Sequence, residues 1–453
     1  MIDVLKAGLG KFQGEYADLR YEVDHVVQIN LRGKVTQSIS DSTRDGFHLR
    51  CLVDGGFSTH TFSDRKFLRK AVREAGKAAR LARRYVGTPI KFEFGPVVKK
   101  KIACTPQEDP RSVSLSDKLK LLLRYNKLVM KVGKIQTTNF FYREWVKTKY
   151  FVNSLGTELE MEQIIAFISG EILARDGNDM QNVRVAVGGG DDFGRMRGRE
   201  QSFDEKAKIA VELLKAEPVK GGVYTVLLNP NMVGVFIHEA FGHFSEADLV
   251  VKNPGLLAKL AMGGRIGSEP LSVVDDPTLY GRPGFRVYDD EGIKCEKVSL
   301  IKNGVLSGRL HSLETARELG ESLNGHTIAV GCEHTPVVRM GNIYIEPGRQ
   351  SFQELLASIA DGLYVCDAKG GSTMGDQFAF GAQYGYEIKS GKLGRMVRDI
   401  NMSGNLFKTL KEVVAVGNDP AFSEAGGCGK RGQTNPQSGS GGPHTIINNI
   451  VIG

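Results

Sequence analysis

In "GVFIHEAFGHFSEADLV", residues 234–250, the dipeptide His238-Glu239 is separated from His243 by three residues. Two imidazoles and a carboxylate are the working parts of metal-assisted hydrolysis, in which the imidazoles hold a divalent cation and the carboxylate moves protons to and from water. A zinc-peptidase helix normally places its histidines at i and i+4, on one face. Here they stand at i and i+5. At about 100° per residue, two such side chains on a regular α-helix diverge by about 140° and cannot meet. Two irregularities restore the pair: a single π-type turn, which absorbs one extra residue, or a helix that loosens at Gly242 so that His243 swings round.

Two imidazoles do not complete a catalytic zinc site, which typically takes three protein ligands and keeps one position open. Glu246, His311, His326, His334, His444 and the cysteines are candidates for the third. Cys428 stands out in "GGCGK", where glycines let the backbone approach closely and Lys430 favours a thiolate. Glu246 and Asp248 are carboxylates able to orient an imidazole from behind. The plainer alternative is a pair of unrelated, partly buried histidines and a cysteine that serves as a small hydrophobe. The His-Glu dipeptide, the glycine and the following carboxylates weigh against it.

The elements that must position these residues read as follows. "VYTVLLNP" is a strand, and Asn229-Pro230 suits an N-cap followed by proline in the first helical turn, so the motif lies on a helix that follows a strand. Beyond it the chain turns β-rich, with a hairpin at Asn303-Gly304, glycine-rich strands around "AKGGSTMGDQFAFG" (368–381) and a glycine-rich loop leading into a last strand. Before it, strands are expected at 16–32, 46–62, 135–152, 157–177 and 183–189. Helices are expected at 63–85, 116–131 and 203–216, the second burying Leu119, Leu122, Leu123 and Met130. "EPVKGG" (217–222) marks a junction. The fold class is therefore α+β: an N-terminal domain, 1–217, mixes an antiparallel sheet with flanking helices, and a β-rich C-terminal domain, 218–453, carries the H-E-x-x-x-H helix.

At 453 residues the chain exceeds what one core usually organises. No apolar run is long enough for a membrane span and the N-terminus shows no cleavable signal, which predicts a cytoplasmic protein with no membrane association. Six cysteines without C-x-x-C spacing exclude a disulfide framework. The net charge of +8 is local: residues 65–101 hold thirteen Lys/Arg against Glu74 and Glu93, so the rest of the chain is slightly acidic. That stretch reads as the solvated face of an amphipathic helix, with an acidic or nucleic-acid partner as the rival reading. "EAGGCGKR" fails as a phosphate loop, because Glu424 stands at the first glycine and Arg431 at the Ser/Thr position.

The segments "HEAFGHFSEAD", "VVDDPTLYGRPG...YDDEG", "LIKNGVLSGRLHSLETA", "TPVVRMGN" and "GGCGKRGQ...GGP", with "YADLRYE" near the start, occur in the order seen in the TldD/PmbA family. The resemblance covers essentially the whole chain and is to the metal-bearing TldD branch, since the TldE (PmbA) branch lacks H-E-x-x-x-H. It implies a zinc-dependent peptidase acting on extended or unfolded peptides, with Zn²⁺ held by His238, His243 and Cys428 and with Glu239 as the catalytic glutamate. It also implies an α+β N-terminal and a β-rich C-terminal domain, and a paralogous TldE/PmbA-type subunit or a homo-oligomer. His444 in the tail departs from the family pattern. The rival from another class is a non-catalytic modulating or binding subunit, against which the intact motif residues argue; a nucleic-acid partner finds support only in the basic stretch.

Overall fold

The structure is a computed structural model and describes all 453 residues. Its N-terminal half is built on long antiparallel strands, β1 (Tyr16–Arg32), β2 (Val35–Val53), β3 (Gly56–Phe62), β5 (Ile135–Asn153), β6 (Glu158–Asp176) and β7 (Asp179–Gly190), with the short β4 (Lys99–Ile102) parallel to β6. The spatial order is β3-β2-β1-β5-β6, and both β7 and β4 pair with β6. Helices cover one face. α1 (Ile2–Leu9) lies on β1 and β5 beside α2 (Leu68–Ala82), which packs on β2 and β3, while α3 (Leu115–Val129) and α4 (Glu200–Leu213) pack on β5–β7.

Period-two alternation decides which residues meet those helices. Ala17 and Leu19 of β1 join Leu49 and Cys51 of β2 in a core under α1 and α2. The alternate residues Asp18, Arg20, Glu22 and Asp24 point the other way, and such a polar face ordinarily meets water. Here it is buried beneath the C-terminal half. Arg50 pairs with both Asp18 and Glu291, the latter at 2.6 Å; Lys149 pairs with Asp290 at 2.7 Å; and Arg20 donates to the His334 carbonyl at 3.0 Å. The "DDEG" segment thus supplies the carboxylates for cations of the N-terminal sheet.

In the C-terminal half, strands Gly222–Leu228, Thr445–Ile452, Asn401–Asn405, Gln377–Lys389 and Asp361–Met374 pair in that order, and the last pairs back with the first, closing a ring. A second sheet contains Val273–Asp275, Asn342–Ile345 and Gly439–Gly442. Between them lies α5 (Pro230–Ile237), whose N-terminus Asn229 caps by accepting from the Met232 amide at 2.9 Å. Val233, Phe236 and Ile237 of α5 pack with Val226, Ile343, Phe378 and Phe380 in one core. A Cβ on Gly234 would stand 2.8 Å from the Gly441 nitrogen, so only glycine lets the helix lie this close to the strand "GSGG".

The expected mixed α/β architecture with antiparallel sheets is what the chain forms, with three local corrections. The segment 46–62 is two strands, because Asp54 and Gly55, at φ of 54° and 76°, make a tight hairpin turn inside it. Residues 35–45 extend β2 although no apolar alternation announces them; they pair only with β1 and are exposed throughout. On α3 the buried stripe is Leu121, Leu122, Tyr125 and Val129, whereas Leu123 is exposed and Leu119 and Met130 are half-buried. Lys118 holds a core-facing position on that stripe through its ion pair with buried Glu144 at 2.6 Å, and a lysine there masks the helix phase.

Replacing Arg50 with Met strands the buried carboxylates of Asp18 and Glu291 without their cation. Denaturant unfolding followed by fluorescence is expected to show a loss of about 3–5 kcal/mol, against less than about 1 kcal/mol for the exposed Arg73→Met.

Candidate metal centre

α5 does not end at His238. It continues through a π-turn, His238–Gly242, into a short α-helical turn, His243–Ser245. The π-turn takes up the extra residue of the motif, and both imidazoles come to the same side, their ring centroids 5.2 Å apart with planes at 89°. The backbone at Gly242 is ordinary right-handed helix, φ −51° and ψ −49°, so the loosening considered for this glycine does not occur. Its role is packing: a Cβ there would lie 2.1 Å from the Met340 sulfur and 3.1 Å from Ile343. A second fastening comes from the hairpin 361–389, where the Thr373 hydroxyl donates to the main-chain carbonyl of Glu239 at 3.0 Å.

The third side chain arrives on a small hairpin, Cys428–Lys430 paired with Gln433–Asn435. Its two-residue turn, Arg431-Gly432, has positive φ at both positions, 48° and 74°. The buried Arg339 guanidinium holds the hairpin by donating to the carbonyls of Cys428 (2.8 Å), Lys430 (3.2 Å) and Gln433 (2.6 Å). Cys428 Sγ thereby lies 3.6 Å from His243 Nε2, and the donor atoms of His238, His243 and Cys428 all fall within 4.8 Å of one another. Glu239, half-buried, follows His238 directly.

Glu246 and Asp248 play unequal parts. The fully buried Glu246 accepts from His243 Nδ1 at 3.0 Å, which turns Nε2 toward the sulfur, and it also accepts from Lys430 Nζ at 3.0 Å. Asp248 touches no imidazole; it reaches the centre through Lys430, whose ammonium it accepts from at 2.6 Å. Lys430, expected to favour the thiolate, is instead occupied with these two carboxylates and the Val338 carbonyl. Burial alone would push the Cys428 thiol up, but His238 and His243 beside it bring it down to about 6. Burial would likewise lower His243, yet Cys428 and Glu246 raise it to about 10. Glu246 is held below its ordinary value against its burial by the charge of Lys430, while burial raises Asp248.

The remaining third-ligand candidates are committed elsewhere. His311 bonds Thr315 and Glu321, His326 bonds Asn324 and Asp275, and His444 bonds Asp419 and Tyr364. His334 lies beside Glu333. All other cysteines are free thiols, and burial raises Cys51, Cys104, Cys295, Cys332 and Cys366. Sequence reasoning missed Arg339 and Thr373. Arg339 lies in the quoted segment "TPVVRMGN", but nothing in its spacing shows that it would clamp a hairpin 89 residues away.

A soft thiolate and two imidazoles within one coordination radius, one imidazole backed by a carboxylate, form a donor set that suits zinc. Such a trio beside a glutamate, on a mixed α/β scaffold, is the construction of a metallopeptidase. The chain belongs to the PmbA/TldA metallopeptidase family: residues 17–79 match its domain 1, 108–217 its central domain and 221–453 its C-terminal domain. It is 35% identical over 450 residues to a metalloprotease of Synechocystis sp., covering 98% of this chain and 96% of that one. A zinc metalloprotease TldD homolog of Saccharolobus solfataricus is 35% identical over 248 residues, 54% of this chain and 55% of that one. Among solved structures, a putative modulator of a DNA gyrase from Thermotoga maritima superposes with a TM-score of 0.80 at 22% identity, covering 100% of this chain and 99% of that one. TldE from Thermococcus kodakarensis superposes with 0.76 at 18%, covering 99% of each chain.

With His243 at about 10 and Cys428 at about 6, the metal-free trio carries an imidazolium beside a thiolate between those pH values. A divalent cation must displace the His243 proton, whereas the thiol proton has already gone. Titration calorimetry in buffers of different ionisation enthalpy should show about one proton released per ion at pH 8, with affinity climbing about tenfold per pH unit, and a steeper climb below about pH 6, where Cys428 must also deprotonate.

Proposed function

We propose that the chain is a zinc-dependent peptidase that hydrolyses peptide bonds of extended or unfolded peptides, in two domains, 1–217 and 218–453, of which the second is catalytic. The observation that carries this reading is the π-turn, which brings His238 and His243 to Cys428; Glu239 is the residue next to His238 in that turn. His238, His243 and Cys428 would hold the ion. Bound there, zinc supplies the Lewis acidity that makes water nucleophilic near neutral pH and polarises the scissile carbonyl.

The chain's own residues do the rest. Glu239 takes a proton from the attacking water on its carboxylate and returns it to the leaving amine. Thr373, bonded to the Glu239 carbonyl, fixes the backbone from which that carboxylate projects. Glu246 holds the His243 ring in one tautomer, and Lys430 balances the carboxylate charge behind it.

Substrate is read as an added strand. The strand 361–374 pairs with Gly222–Leu228 only through Leu363–Val365; beyond Asp367 and Ala368, whose amides donate to the Asn229 and Asn231 side chains, its edge opposite the hairpin partner carries no strand up to Met374, in the stretch whose Thr373 hydroxyl bonds the Glu239 carbonyl. Backbone hydrogen bonds at such an edge accept an extended peptide with little regard to side chains. Likeness to TldE supports a paralogous TldE/PmbA-type partner, with a homo-oligomer as the alternative assembly.

Zinc quantification and digestion of an unfolded protein, read by mass spectrometry, test the centre. Glu239→Gln is expected to keep bound zinc and lose cleavage by a factor of at least about 10². Cys428→Ala should lose most of the zinc and cleavage with it. Undiminished cleavage by Glu239→Gln would remove the glutamate from the mechanism, and a wild-type protein that binds zinc but cuts no peptide would favour the modulating-subunit alternative.

A further inference from the structure

The charge of this molecule is concentrated. Between Arg65 and Arg84 nine cations stand against Glu74 alone, an excess of eight that equals the formal net charge of the whole chain. The rest of the chain is neutral in sum. Arg65, Lys66, Arg69, Lys70, Arg73, Lys77, Arg80, Arg83 and Arg84 lie on α2 and its flanking 3₁₀ turns. At about 100° per residue they fall within a face about 140° wide. The opposite stripe, Leu68, Ala71, Val72, Ala75 and Ala79, is buried against the sheet. Nearby carboxylates neutralise only part of this face: Asp64 pairs with Lys66, Glu74 with Arg73 and Lys77, and Asp54 with Arg80. Arg65, Arg69, Lys70, Arg83 and Arg84 make no ion pair, although Arg83 donates to the Val86 carbonyl.

A solvated face needs no apolar groups, yet this one has them along its border. Phe67 is 45% exposed, Leu81 52% and Tyr85 83%. Six of the nine cations are arginines. Arginine beside exposed aromatic and aliphatic side chains is the composition of protein–protein contact surfaces. A surface that only tracks phosphates gains its affinity from the cations and leaves such a ridge unused.

Its place in the molecule gives the surface a direction. The last turn of α2 packs against Gly56, where a Cβ would stand 2.0 Å from the Ala79 carbonyl. The next residue, Phe57, lines a cleft of about 370 Å³ together with Phe92, Lys252, Asp248 and Arg431. Asp248 is the carboxylate bonded to Lys430, and Arg431 forms the turn of the hairpin that carries Cys428. The cleft itself is of mixed charge, since Glu291, Glu314 and Glu333 also line it, so an acidic chain is held on the helix rather than in the cleft.

We infer that the α2 face is a docking surface for an acidic polypeptide with interspersed apolar side chains, which it anchors while a neighbouring part of the same chain extends along the cleft toward the metal centre. The second half of this inference rests on the peptidase reading; the first does not.

The test uses the full-length zinc-loaded protein, a fluorescein-labelled peptide of glutamates interspersed with leucine and phenylalanine, and a duplex oligonucleotide of equal charge. Anisotropy should show tighter binding of the peptide than of the duplex, weakened by salt. Arg65→Glu/Arg69→Glu/Arg73→Glu should weaken peptide binding at least about tenfold, and Leu81→Ser/Tyr85→Ser should weaken peptide but not duplex binding, with circular dichroism unchanged in both. Joined to a neutral cleavable segment, the acidic tail should give a KM that rises in the charge-reversal variant at unchanged kcat, while the tail-less peptide is cut equally by both proteins. Tighter duplex binding, or peptide binding indifferent to charge reversal, overturns the docking surface. Binding as expected without any cleavage overturns the peptidase reading and leaves the surface standing.

Discussion

The site depends on one extra residue in a helix. Histidines at i and i+5 meet only if the helix takes up that residue locally, and the π-turn from His238 to Gly242 does so between two sheets. Asn229 fixes where the helix starts, Gly234 sets its distance from the strand 439–442, and Gly242 lets the turn press against Met340 and Ile343. A π-turn carries poorer hydrogen-bond geometry than α-helix and persists where surrounding packing over-determines it. That packing comes from Met340 and Ile343 against Gly242, from the Phe236, Phe378 and Phe380 rings at the end of α5, and from the Thr373 hydroxyl on the Glu239 carbonyl.

The cysteine is positioned by a different kind of force. Its hairpin is short and glycine-flanked, and its strands bury little apolar surface of their own. It is located by charge-assisted hydrogen bonds, from Arg339 to three of its carbonyls and from Lys430 to Glu246 and Asp248. Because these groups are buried, each is costly unless partnered and directional when it is. Lys430 lies two residues from Cys428 and bonds the same carboxylate that orients His243, so the sulfur and the imidazole are registered to each other through one ammonium.

The same physics joins the two halves of the molecule. The N-terminal sheet turns its apolar alternation toward helices and its charged alternation toward the C-terminal half, where Asp290 and Glu291 meet Lys149 and Arg50. Such an interface is selective more than adhesive, since buried ion pairs return little beyond their desolvation cost but penalise any misplacement. It holds the cleft lined by Arg50, Glu291 and Arg431 in a fixed relation to the hairpin that carries Cys428.

The sequence by itself determined the local elements with strong periodicity: β1, β5 and β6, the capped start of α5, the Asn303-Gly304 hairpin and the mixed α/β class. It also supplied the chemistry, because His238, Glu239, His243 and Cys428 are of the right type, and a resemblance to a known family joined them. It could not say which irregularity would bring the histidines together, nor read α3's buried stripe past Lys118, nor show that the charged face of β1 would be covered. Those outcomes belong to the tertiary structure, because each depends on a partner far along the chain: Met340 for Gly242, Glu144 for Lys118, Glu291 for Arg50, Arg339 for the Cys428 hairpin. Periodicity reports the face a residue turns from its own backbone, whereas burial and metal-binding geometry are fixed by what the rest of the chain packs against that face.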